Sequence, residues 1–185
     1  MSVADFIYCE SVLPKESCDS LVRFFEDNIE HAIPGMMGHY HTPIGNLEIR
    51  LEVKDQSDYY GLGKSIHEGV VSYTKIYPLV TSNMGRWTVV NECQFAKFES
   101  DKYYSHVHCE NSMPVLPIAN RCFAWMIYLN TIKDGGGTEF IHQNFVTNPI
   151  AGDMYIWPAG WTHSHYGIVA PKEIKYIITG WCSFI

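Results

Sequence analysis

The chain of 185 residues contains no Cys-x-x-Cys pair, no long uninterrupted apolar run and no cluster of Lys and Arg. Each absence removes a class of function. Without paired cysteines, the scattered Cys9, Cys18, Cys93, Cys109, Cys122 and Cys182 suit neither a structural zinc site nor a redox pair, and in a chain of this size they are expected as free thiols. Without a long apolar run there is no candidate membrane-spanning helix. The start MSVADFIYCE also lacks the basic and apolar regions of a secretory signal, so a soluble, intracellular, cytoplasmic protein is expected. With 13 basic against 20 acidic side chains and a net charge of -7, nothing is arranged to track a phosphate backbone. Neither nucleic acid nor a membrane is expected as a partner, and oligomeric state leaves no signature.

What is present is apolar and aromatic. Hydrophobic residues make up 46% and aromatics 14% of the chain, enough for one core but not for two, so a single domain over residues 1–185 is expected. After Leu13-Pro14, apolar residues at Cys18, Leu21, Val22 and Phe25 follow the spacing of one helical face and predict an N-terminal helix. Residues 31–46 hold Pro, Gly and His without periodicity and read as an irregular loop. Residues 57–77, with Leu62, Ile66, Val70 and Ile76 ahead of Pro78, predict a second helix. Beyond it the periodicity changes to short segments rich in β-branched and aromatic residues: WTVVNECQFAKF, YYSHVHC, RCFAWMIYL, TEFIHQ, FVTN, DMYIWP and EIKYIITGWCSF. Two helices followed by such a series indicate a mainly β (α+β) fold. Its expected form is an antiparallel sandwich or jelly roll over about 87–185, with helical support over about 1–80 packed outside.

Tyr104-Ser105-His106-Val107-His108-Cys109-Glu110 alternates, and in a strand Tyr104, His106, His108 and Glu110 would share a face. Two imidazoles and a carboxylate are costly to bury unless paired or metal-bound. A second histidine pair, His163 and His165, follows Trp157-Pro158-Ala159-Gly160-Trp161. One imidazole from that pair, with His108 and Glu110, completes two histidines and one carboxylate, the facial set of non-haem iron(II) oxygenases, which leaves neighbouring positions open. Either His163 or His165 could complete it. Lys175 stands ten residues after His165 at the head of an apolar strand on which Lys175, Ile177, Thr179 and Trp181 share a face. It supplies a cation for the far end of a dicarboxylate.

With these motifs stand Arg121-Cys122 leading into Ile127-Tyr128-Leu129-Asn130, Gly135-Gly136-Gly137-Thr138-Glu139-Phe140, and Pro149-Ile150-Ala151-Gly152-Asp153. In this order they resemble the 2-oxoglutarate/iron(II)-dependent dioxygenases of the prolyl-hydroxylase-like superfamily, phage-type members included. The resemblance covers about residues 94–184. It implies a double-stranded β-helix, iron held by His108, Glu110 and His165, and 2-oxoglutarate held by Lys175, Tyr128 and Thr179, with ascorbate as an accompanying reductant. No catalytic residue beyond the metal ligands is implied. His106, His163, Trp181 and Arg121 remain as supporting or substrate-facing candidates, and the interval to Lys175 favours His165 over His163. The implied activity is oxidation by O2 and 2-oxoglutarate, foremost hydroxylation, of a small molecule, amino acid or peptidyl residue, giving succinate and CO2. Demethylation and desaturation remain open. The alternative is a jelly-roll module, or a degenerate oxygenase, that binds a ligand without turning it over. Residues 31–60, including His39, His41 and Arg50, are expected as a lid by position.

Overall fold

The computed structural model describes residues 1–37, 42–52 and 59–185. In chain order the strands and helices are β1 (Ser2–Ala4), β2 (Ile7–Ser11), α1 (Lys15–Asp27), β3 (Ile33–Met37), β4 (Thr42–Glu52), α2 (Leu62–Ile76), α3 (Leu79–Ser82), β5 (Trp87–Val89) and β6 (Glu92–Phe98). They continue with β7 (Arg121–Tyr128), β8 (Thr138–Phe140), β9 (Phe145–Val146), β10 (Asp153–Pro158), β11 (His165–Gly167) and β12 (Lys175–Phe184). The fold is mostly antiparallel sheet with few helices. Among the described residues, one large sheet runs β1-β2-β10-β7-β12-β6-β4-β3, with β5 added against β12, and a small sheet runs β11-β8-β9.

Alternation along the central strands divides the molecule into two apolar layers. Phe123, Trp125 and Ile127 of β7, Phe95 of β6, Ile178 of β12 and Ile156 of β10 face the helices. There they meet Cys18, Leu21 and Phe25 of α1 and Leu62, Ile66, Val70 and Tyr73 of α2. Their neighbours Ala124, Met126, Tyr128, Ala96, Ile177, Trp181 and Trp157 face the other way and pack with Phe140 of the small sheet. Gly180 lets the central strands close up, because a Cβ there would run into the fully buried ring of Trp125.

Both expected helices form, and their apolar stripes are the buried faces, except that Ile76 is 50% exposed and Tyr73 takes its place inside. Two expectations are corrected. The stretch 31–46 is not an irregular loop, since β3 and the first half of β4 lie within it, and residues 38–41 fall outside the described residues. Pairing drives this: Asn46–Glu52 of β4 runs antiparallel to Phe98–Glu92 of β6. The signal was Leu47-Glu48-Ile49-Arg50-Leu51-Glu52, a strict alternation hidden behind Pro and Gly. Conversely, residues 103–109 form no strand. Val107 and Ser105 find no apolar layer to pack against, and only His108 makes a β-bridge, to His165. None of the described helices is long and apolar enough to cross a membrane.

Candidate active site

Between the inner face of the large sheet and the small sheet lies a cavity of about 900 Å³, within the size range of small-molecule sites. Its floor carries His108, Glu110, His165 and Lys175, and its outer wall carries Glu48, Arg50, Gln94 and Arg121. Backbone pairing assembles the floor. His108 N–H donates to His165 O at 3.0 Å and His165 N–H returns to His108 O at 2.9 Å, which brings the two rings to 4.4 Å between centroids. Glu110 is placed from another direction, because its N–H and that of Asn111 both donate to Ala159 O, at 3.0 and 3.1 Å. That carbonyl belongs to the Trp-Pro-Ala-Gly turn singled out in the sequence.

The histidine tautomers follow from their partners. Nδ1 of His108 lies 3.0 Å from His106 O, and Nδ1 of His165 lies 2.8 Å from His163 O. A carbonyl only accepts, so each neutral ring carries its proton on Nδ1 and turns an unprotonated Nε2 inward. Those Nε2 atoms stand 3.8 Å (His108) and 3.4 Å (His165) from Glu110 Oε1, and one donor atom from each of the three residues falls within a 4.8 Å cluster. Burial lowers the pKa of His108, as does the neighbouring His165. For Glu110, burial opposes ionisation, but when the facing imidazoles carry a proton on Nε2 as well, the hydrogen bond from His165, the charges of both rings and the Trp181 N–H outweigh it and hold the carboxyl at about 2.

The alternation read into 104–110 is corrected here. Tyr104 stacks on His108 at 4.3 Å between centroids, but His106 is exposed at the cavity edge. His163 is buried apart from the cluster. Its Nε2–H donates to Asp5 O at 2.9 Å, and its Nδ1 accepts from Thr162 at 3.0 Å, so both nitrogens are engaged in tying the N-terminal turn to the 161–163 turn.

Lys175 opens β12 opposite Phe98 of β6. Its ammonium donates to Gly136 O at 3.2 Å, sits 4.8 Å from the centroid of the Phe98 ring, and is 4% exposed. Gly136 presents that carbonyl with φ of 72°, a conformation open to glycine. No carboxylate pairs with Lys175 among the described residues, and burial lowers its pKa to about 8. Thr179, Ile177 and Trp181 of the same strand line the cavity with it, as alternation requires, although the Thr179 hydroxyl donates to Trp125 O at 2.9 Å.

Tyr128 lies one layer behind. Its hydroxyl is 2.6 Å from Thr147 Oγ1 and 3.4 Å from Thr138 Oγ1. Thr147 Oγ1 also accepts the N–H of Thr138 at 2.8 Å, so Tyr128, Thr138 and Thr147 form one hydrogen-bonded group, of which Thr138 lines the cavity. Sequence reasoning passed over Thr138 and Thr147, although they stand in the β-rich segments TEFIHQ and FVTN. It also passed over Glu48 on the cavity side of β4, for which the alternation of that strand was the available signal. Arg50, expected in a lid, sits in β4 and pairs with Glu92 at 2.7 Å. His39 and His41 lie outside the described residues.

A family model for the 2OG-Fe(II) oxygenase superfamily matches residues 93–183, the stretch that supplies the cavity floor. No curated protein matches the sequence. Among solved structures, the chain is similar to the viral collagen prolyl hydroxylase of Paramecium bursaria Chlorella virus-1, with a TM-score of 0.71 and 13% identity over 100% of this chain and 99% of that one. It is similar to a prolyl hydroxylase of Trichoplax adhaerens, solved with a hypoxia inducible factor peptide, at TM-score 0.71 and 15% identity over 96% and 83%. A prolyl-4-hydroxylase of Pseudomonas putida gives 0.70 and 15% over 96% and 92%. At such identities these likenesses concern the fold. Residues 93–183 are a 2OG-Fe(II) oxygenase domain, and the protein is a 2-oxoglutarate-dependent dioxygenase that uses iron(II).

Proposed function

We propose that His108, Glu110 and His165 hold the iron, that Lys175 grips the distal carboxylate of 2-oxoglutarate, and that the protein hydroxylates an amino acid, a peptidyl residue or a related small molecule. One observation carries this reading: a His-Glu-His cluster and a buried lysine that has no carboxylate partner among the described residues open onto the same cavity. The donor set fits the metal. Two imidazoles with inward, unprotonated Nε2 atoms and one carboxylate, with no thiolate, suit iron(II) chemistry. The backbone carbonyls on Nδ1 fix both rings, as supporting partners of ligating histidines do. Iron bound there supplies the oxygen activation that couples conversion of 2-oxoglutarate to succinate and CO2 with oxidation of a C–H bond.

The chain's own residues do the rest. Lys175 offers a desolvated cation, so a carboxylate placed beside it gains a charge-assisted hydrogen bond. Tyr128 reaches this cavity through its hydrogen bond with Thr138, which lines it, and Thr179 lines it together with Trp181. The single domain over residues 1–185 is read as a double-stranded β-helix whose two sheets enclose this pocket. Met36, Met113 and Ile118 on the cavity wall suit an apolar segment at the mouth. The prolyl hydroxylases of similar fold put proline-containing peptides first among substrates to test, followed by free amino acids.

The test is anaerobic loading with iron(II), then addition of oxygen, 2-oxoglutarate and a panel of proline peptides and amino acids, read by succinate formation and by a mass gain of one oxygen in the substrate. Wild-type protein is expected to produce both and His108→Ala neither. Failure of wild-type protein to bind 2-oxoglutarate in a metal-dependent manner would end this reading.

A further inference from the structure

The two oxygens of Glu110 have different surroundings. Oε1 faces the ring nitrogens of His165 and His108. Oε2 accepts the indole N–H of Trp181 at 2.6 Å and lies 3.7 Å from Arg121 Nη1. The same Nη1 donates to the backbone carbonyl of Glu110 at 3.3 Å. The Arg121 guanidinium lies over the Trp181 ring, 3.6 Å from its centroid. Each group therefore restrains the other two: Arg121 stacks on the indole, the indole bonds the carboxylate, and the carboxylate neutralises Arg121.

We propose that Trp181, held by Arg121, is a positioning residue that keeps Oε2 engaged and leaves Glu110 a single oxygen for the metal. This rests on the ligand assignment above. Its consequence is chemical. A carboxylate that bound through both oxygens would fill a coordination position needed by dioxygen once three protein atoms and a chelating 2-oxoglutarate are in place. A short, charge-assisted bond from a buried indole is well suited to prevent that. The arrangement also gives a reason for glutamate. The backbone of residue 110 is fixed to Ala159, so the carboxylate must reach the histidines with one oxygen and Trp181 with the other. The extra methylene provides that span.

The experiment uses the full chain loaded anaerobically with iron(II) and 2-oxoglutarate, and nitric oxide as a dioxygen stand-in read by electron paramagnetic resonance. Trp181→Phe retains a ring beneath Arg121 but loses the donor. It is expected to bind iron and 2-oxoglutarate within about threefold of wild type and nitric oxide at least about tenfold more weakly, one decade being the scale of a single strong hydrogen bond. Arg121→Met, which leaves the indole donor but loosens it, is expected to weaken nitric oxide binding by a smaller factor, and it decides the matter if Trp181→Phe does not fold. Wild-type nitric oxide binding in both variants would overturn the proposal, as would a parallel loss of iron and 2-oxoglutarate, which marks a merely structural role. Absence of iron or 2-oxoglutarate binding in wild type would instead overturn the ligand assignment.

Discussion

Replacing Lys175 with methionine should move two properties of this protein in opposite directions. The ammonium is 4% exposed, and its polar contact is a neutral carbonyl. The fall of its pKa from 10.5 to about 8 on burial corresponds to about 3 kcal/mol against the charged form in the ligand-free fold. Because the folded value lies below the unfolded one, the cost is present in full below pH 8. It is relieved as pH rises from about 8 toward 10.5, so this group makes the ligand-free protein more stable across that window. Methionine keeps most of the volume without the charge, so Lys175→Met is expected to melt roughly 5–10 °C higher than wild type at pH 7. For 2-oxoglutarate the sign reverses. Removing one member of a buried charge pair costs about 2–5 kcal/mol, which is a loss of roughly 30-fold to several thousandfold in affinity. Calorimetric titration of 2-oxoglutarate into manganese-loaded protein reads the affinity. The same titration at pH 8.5 in two buffers of different ionisation enthalpy should reveal proton uptake, since the carboxylate requires the ammonium form. Affinity within threefold of wild type, or a lower melting temperature at pH 7, would refute the reasoning.

Other perturbations separate the roles of neighbouring residues. His108→Ala should lower divalent-metal affinity by more than the ~10–100-fold that a supporting partner costs, measured by competition with a chromophoric chelator. His106→Ala should leave that affinity unchanged in the same assay, because His106 contributes its backbone carbonyl rather than its ring to His108. Gly180→Ala should destabilise the protein by about 1–3 kcal/mol in urea unfolding, since the new Cβ overlaps Trp125, which is 0% exposed and has nowhere to move.

The parts of this molecule legible in its sequence are those whose periodicity is uninterrupted. Helices α1 and α2 and strands β6, β7, β10 and β12 were readable because their apolar spacing matches one face each. β4 was obscured by Pro43 and Gly45 at its start, though the six residues from Leu47 alternate cleanly. β1 and β2 carry too few residues for a period to show, and they exist because β2 pairs with β10. At the site, His108, Glu110, His165 and Lys175 were named from spacing and resemblance. The alternation that grouped His108 and Glu110 with His106 was misleading, since a single bridge and two bonds to Ala159 place those side chains, not a strand. The Trp181 contact with Glu110 and the tyrosine–threonine chain behind Thr138 are products of tertiary packing between distant segments, and no local pattern announces them.

The β-bridge between His108 and His165 has a further implication for how this wall of the cavity holds its shape. Between β6 and β7 the chain runs through more than twenty residues without a strand, and along 104–111 it is fastened by the bridge, by Gly167 N–H to Tyr104 O, and by Ala159. An ion shared by His108, Glu110 and His165 would act as a rivet through the same seam. Metal occupancy and the local order of this wall then form one equilibrium, in which whatever tightens the seam tightens the grip on the ion by the same free energy.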